Sequence, residues 1–133
     1  MANPFATENQ RYSHVVKHEY APELGWTRMV VTVNEAAAKD YKIGTVLGKV
    51  TASGKYKIAV ETAVDGSKVG AAIVVQDVSV AATTDTKVLV IVRGPAIVSK
   101  AGLIIDATYD NQTKLDTLYA DLEAKLILAN TAV

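Results

Sequence analysis

Two histidines, His14 and His18, stand four residues apart near the start of the chain and are its only imidazoles. Spacing of this kind suits metal ligation on one helical face or one face of a strand. The intervening Val15-Val16 pair favours a strand, and no Asp or Glu at ligand spacing completes a set. The pair therefore reads as two polar residues of an exposed segment, with no metal site. Carboxylates offer a second chemistry. Asp65, Asp77, Asp85 and Asp106 fall at the ends of expected strands, where acidic residues serve as solvated turn formers. No Gly-x-Ser-x-Gly elbow occurs, and Asp65-Gly66-Ser67 reads as a tight turn. Gly44, Gly48 and Gly54 are not followed by the Gly-Lys-Ser/Thr of a phosphate loop. The absence of cysteine removes thiolate nucleophiles, disulfides and zinc–sulfur sites together. No catalytic residue, no cofactor and no small-molecule substrate is expected.

What remains is contact chemistry. Trp26, the only tryptophan, stands near Tyr20 and Leu24 in a segment that also holds Pro4 and Pro22. A tryptophan so placed anchors an interface, because aromatic side chains dominate binding energy there. It could equally seal the edge of a sheet. Both readings are kept.

The elements that must position these residues are short strands. The chain has 133 residues, 50% apolar and 21% charged, which fits one globular domain with a core of its own. Its formal net charge is zero, whereas a nucleic-acid binder needs a basic excess to neutralise phosphates. The start of the chain shows no basic region followed by an apolar one, so no signal peptide is read. Apolar runs such as Gly70–Val75 are too short to span a bilayer. A soluble domain is expected, with no nucleic-acid or membrane partner.

Residues 1–27 read as an N-terminal arm, with a possible strand over Tyr12–Tyr20. Residues 28–133 read as a single β-rich domain. Arg28–Asn34 is rich in β-branched residues and predicts a strand. Glu35–Asp40 has the composition of one helical turn. Ile43–Val50 predicts a strand whose glycines mark a bulge or a close backbone approach. After the Ser53-Gly54 turn, Lys55–Val60 alternates polar and apolar and forms its hairpin partner. Ala71–Val80 and Lys87–Gly94 are further strands joined by a polar loop. Ile97-Val98 and Leu103–Ile105 flank a glycine-containing turn. Leu115, Leu118, Tyr119, Leu122 and Leu126 share one face of an amphipathic helix at about 113–128, capped by Thr113 with Asp116 or by Asp110 or Asn111. The expected class is mainly β: a small antiparallel sandwich or barrel-like domain with an extended N-terminal arm and one C-terminal helix.

Four segments in order carry a family resemblance: Ile43-Gly44-Thr45-Val46-Leu47-Gly48, Asp65-Gly66-Ser67, Val69-Gly70-Ala71-Ala72-Ile73-Val74 and Val88-Leu89-Val90-Ile91-Val92-Arg93-Gly94. Their succession, over roughly residues 40 to 105, resembles the head decoration proteins of tailed phages. Ala71-Ala72-Ile73-Val74 stands where that family often has Gly-Ile-Leu. The resemblance implies a non-enzymatic virion protein, made in the host cytoplasm. It would bind the major capsid protein on the outer surface of the expanded head, as homotrimers at local three-fold sites. The arm, with Tyr12, His14, Val15, Val16, His18, Tyr20 and Trp26, would be its capsid-contacting part, adding a strand to a coat-protein sheet edge. The alternative, from another class, is a carbohydrate-binding or adhesion module on a virion or cell surface.

Overall fold

Short runs that contain β-branched residues form most of the strands, and closure of five strands into a ring makes one core. The computed structural model describes residues 12–21 and 24–131, so the expected arm lies partly outside the described residues, at 1–11 and 22–23. A helical turn, α1 (Tyr12–Val15), runs into β1 (Val16–Glu19). There follow β2 (Arg28–Val33), β3 (Lys39–Tyr41), β4 (Val46–Lys49), β5 (Tyr56–Ile58), β6 (Gly70–Val74), β7 (Val78–Val80), β8 (Thr86–Ile91) and β9 (Ala96–Ser99). Helix α2 (Gln112–Glu123) and strand β10 (Ile127–Asn130) complete the described chain.

Strands β2-β5-β4-β6-β8 form a closed barrel, with β8 returning to β2 in antiparallel register from Arg28↔Ile91 to Val33↔Thr86. β4 and β5 are the expected hairpin, with Leu47 opposite Ile58. Val31, Val33, Leu47, Ala72, Val74, Val88 and Val90 fill the barrel. The alternate residues Val46, Ile73 and Ile91 point the other way, into a second core with Val15, Val16, Val98, Leu118, Leu122 and Ile127. Because β6 lies between these two cores, every one of its residues is buried, which is why its sequence is a continuous apolar run.

That second core is roofed by a three-stranded sheet in the order β1-β9-β10. β9 is antiparallel to β1 and parallel to β10. The mainly β class with a helix near the C-terminus is as expected, and among the described residues no helix is long and apolar enough to cross a membrane. Gly48 justifies its reading as a close approach: a Cβ there would stand 1.8 Å from the Ser67 carbonyl oxygen.

Several elements differ from the sequence expectation. The helix stops at Glu123, not near 128, since Leu126 adopts φ +64° and Ile127 is drawn fully buried into parallel pairing with Ala96. Of the caps expected, Asn111 is the one used, its side chain accepting from the Lys114 amide at 2.9 Å. The expected helical turn at 35–40 is absent. Glu35 is instead buried, accepting from the Tyr41 hydroxyl and the Ile58 amide, and β3 pairs with β7. The single strand expected over 71–80 is broken at Gln76 and Asp77, which turn outward to accept from the Leu89 and Ile43 amides. Leu103–Ile105 contributes only the isolated bridge Thr45↔Ile104.

Candidate docking site

The described part of the expected arm is woven into the body. β1 pairs with β9, and Val15 and Val16, 0% and 5% exposed, belong to the second core. Neither valine can touch a partner without opening that core, so they act as anchors of the fold rather than as members of a loose arm. α1 holds the exposed His14, and β1 holds His18, which faces outward opposite Ile97. The two histidines therefore do not share a helical face, and among the described residues no three His, Cys, Asp or Glu cluster as metal ligands.

Tyr12 turns inward to a carboxylate that the sequence reading did not single out. Glu19, with its side chain 2% exposed, accepts from the Tyr12 hydroxyl, from Thr27 Oγ1 at 2.6 Å, and from both arms of the Arg28 guanidinium at 2.9 and 3.0 Å. Arg28 also lies 5.1 Å from the Tyr12 ring centroid. Burial pushes the Glu19 carboxyl upward, but the Arg28 and Thr27 hydrogen bonds and the Arg28 charge outweigh it, leaving it below its ordinary value. The same contact raises Arg28. This hub fastens α1 and β1 to the start of β2.

The loop after β1 is hung from the segment joining β8 to β9. The Tyr20 amide donates to the Pro95 carbonyl at 2.9 Å, and the Val92 amide donates to the Thr27 carbonyl at 3.0 Å. Between these clamps the chain turns through Ala21 and Gly25, at φ +45° and +71°. Gly25 is the residue type that takes such a backbone without strain. The turn presents Tyr20 and Trp26, 55% and 52% exposed, with ring centroids 6.3 Å apart and planes at 86°. Leu24 is exposed beside them in sequence. Arg93, exposed on the facing segment, stands 5.6 Å from the Trp26 centroid. Half-exposed, Trp26 is not the buried residue that sealing a sheet edge would make it.

Pro95 links this platform to an open, mainly apolar groove of about 350 Å³, lined by His18, Pro95, Ile97, Glu123, Leu126 and Leu128. In the three-stranded sheet His18, Ile97 and Leu128 occupy one row across its outer face.

The four aspartates act locally. Asp65 accepts from the Ser67 amide and hydroxyl and pairs with Lys57, and the Ser67 hydroxyl above all holds its carboxyl well below the usual range. Asp77 accepts from Ile43, Asp85 from Asn34 and Lys55, and Asp106 from Thr108. These are the bonds of turns and loop anchors.

Comparison with known families adds one finding. A family model described as Bacteriophage lambda head decoration protein D matches residues 5–127. No curated protein matches the chain.

Proposed function

The chain belongs to the bacteriophage lambda head decoration protein D family, and on that premise we propose that it binds as homotrimers at local three-fold positions of the expanded head. Membership makes it a structural protein of the phage virion that decorates the capsid. The observation that carries the finer reading is the extent of the family match, which includes all ten strands except the last three residues of β10. Three subunits binding together gain affinity through effective concentration, even when each contact is modest. A clamp of this kind acts through contact area, resisting the outward pressure of packaged DNA.

Docking falls to the exposed members of the N-terminal set, His14, His18, Tyr20 and Trp26. Residues 1–11 precede them and are addressed by truncation. Removing residues 2–11 leaves Val15, Val16 and Glu19 in place and tests the leading segment alone. Removing 2–20 strips the roof strand and unfolds the domain, so it tests stability and not docking.

The experiment mixes purified protein with expanded, undecorated heads of its own virus and counts bound copies after sedimentation. Saturation near one trimer per local three-fold, with decorated heads surviving heating that ruptures bare ones, is the expected result. A different stoichiometry would remove the three-fold placement.

A further inference from the structure

Two guanidinium groups among the described residues lie over aromatic rings, and they differ in one component. Arg28 lies over Tyr12, and its fork is filled by Glu19. Arg93 lies over Trp26, and among the described residues no carboxylate pairs with it. The planar fork of arginine matches a carboxylate in two-point fashion, and stacking on a ring pre-orders it for that contact. The open pair is also anchored beside the core: Thr27, next to Trp26, is fully buried with its hydroxyl on Glu19, and Tyr20 and Thr27 each share a backbone hydrogen bond with the 92–95 segment.

We propose that Arg93, Trp26 and Tyr20 form a receptor for a carboxylate side chain, an Asp or Glu with apolar neighbours on a protein segment of the capsid surface. The incoming group completes from outside the arrangement that Glu19 completes within. This inference rests on the decoration reading and names the chemistry of its contact. Charge complementarity fixes the sign of the partner, because the exposed fork offers only donors and the rings offer apolar area. The groove that begins at Pro95 and continues over Ile97, Leu126 and Leu128 accounts for the apolar neighbours. Lys100 provides a built-in contrast. It too lies over a ring, 4.6 Å from the Tyr119 centroid, but it is a point charge without a planar fork, and its ring is half-buried.

The test titrates expanded, undecorated heads with the full chain carrying Arg93→Glu, Arg93→Gln, Arg93→Lys, Trp26→Ala or Lys100→Glu. Bound copies are counted by sedimentation, and thermal melts confirm that each variant is folded. Arg93→Glu and Trp26→Ala should weaken binding by roughly 30-fold or more, as for an interface hot spot. Arg93→Lys should fall between them and the unaltered protein, and Lys100→Glu should bind like the unaltered protein. Added salt should weaken the unaltered protein more steeply than Arg93→Gln, since only the former brings the charge. Should Arg93→Glu lower the melting temperature, Arg93→Gln and Arg93→Lys carry the comparison. Unchanged binding by Arg93→Glu overturns the inference and leaves decoration standing. A loss confined to Trp26→Ala makes the contact apolar and overturns the carboxylate. Heads that bind no unaltered protein overturn the inference and the decoration reading together.

Discussion

The Tyr12–Glu19–Arg28 hub and the Tyr20–Trp26–Arg93 platform are built from adjacent residues. Glu19 precedes Tyr20, and Thr27 follows Trp26, so the chain steps from the inward site to the outward one at residue 20 and steps back at residue 27. Both set a guanidinium over a ring. In the hub every partner is internal, and the group serves cohesion. In the platform the ring and cation face solvent, and the same chemistry contributes little to the free monomer. A guanidinium–aromatic pair is thus a fold element or a contact element according to where its carboxylate comes from.

The comparison breaks first at Glu19. Glu19→Ala leaves a part-buried guanidinium and two hydroxyls without their acceptor, and should destabilise the domain by about 3 kcal/mol in urea unfolding. A loss under 1 kcal/mol would mean that water replaces the hub readily and that the two sites are not different in kind.

Acid should separate them next. The folded Glu19 carboxyl lies below its ordinary value of 4.5, so its contribution is complete above that pH and is lost as pH falls through the lower folded value. Urea midpoints measured from pH 6 down to pH 3 should decline, and Glu19→Gln should decline less because one of the titrating groups is gone. Asp65 and Asp85, also lowered by their partners, keep a residual slope in the variant.

A smaller effect tests how the platform is presented. Gly25→Ala places a side chain at φ +71°, where nothing crowds it but the backbone disfavours it, at a cost of about 1 kcal/mol. Its melting temperature should drop modestly, and docking should weaken with it as the loop between the clamps shifts. The smallest expected change sharpens the contrast. Arg93→Ala should alter urea stability by no more than about 0.5 kcal/mol, the usual range for an exposed side chain outside any internal network.

Sequence patterns made the barrel legible where one period dominated. Arg28–Val33 and Thr86–Ile91 are β-branched runs, and Tyr56–Ile58 alternates cleanly beside its turn. The tail was not legible because Leu126-Ile127-Leu128 is a short continuous apolar run, which periodicity assigns to neither helix nor strand. Only the unfilled edge of β9 decides between them. Glu35–Asp40 misled for a related reason: three alanines favour a helix, but the buried Glu35–Tyr41 contact outweighs that local preference. At the site, Tyr20 and Trp26 stood out as an aromatic cluster. Arg93 did not, because its proximity to Trp26 exists only after β8 has folded back beside β2. Glu19 left a faint signal as the one acidic residue between Glu8 and Glu23, followed by Arg28 at the head of a strand.

The central position of β9 has a kinetic consequence. Its two neighbours come from opposite ends of the described chain, so the roof sheet forms only after residues far apart in sequence meet. Such high contact order makes folding slow compared with a helical bundle of the same length. During synthesis β9 emerges from the ribosome ahead of β10, and until β10 follows one of its edges is unpaired. That interval, when a bare strand edge can recruit another chain, is when the protein is most exposed to aggregation. Arrival of Ile127 ends the interval by filling the core and covering the edge in a single step.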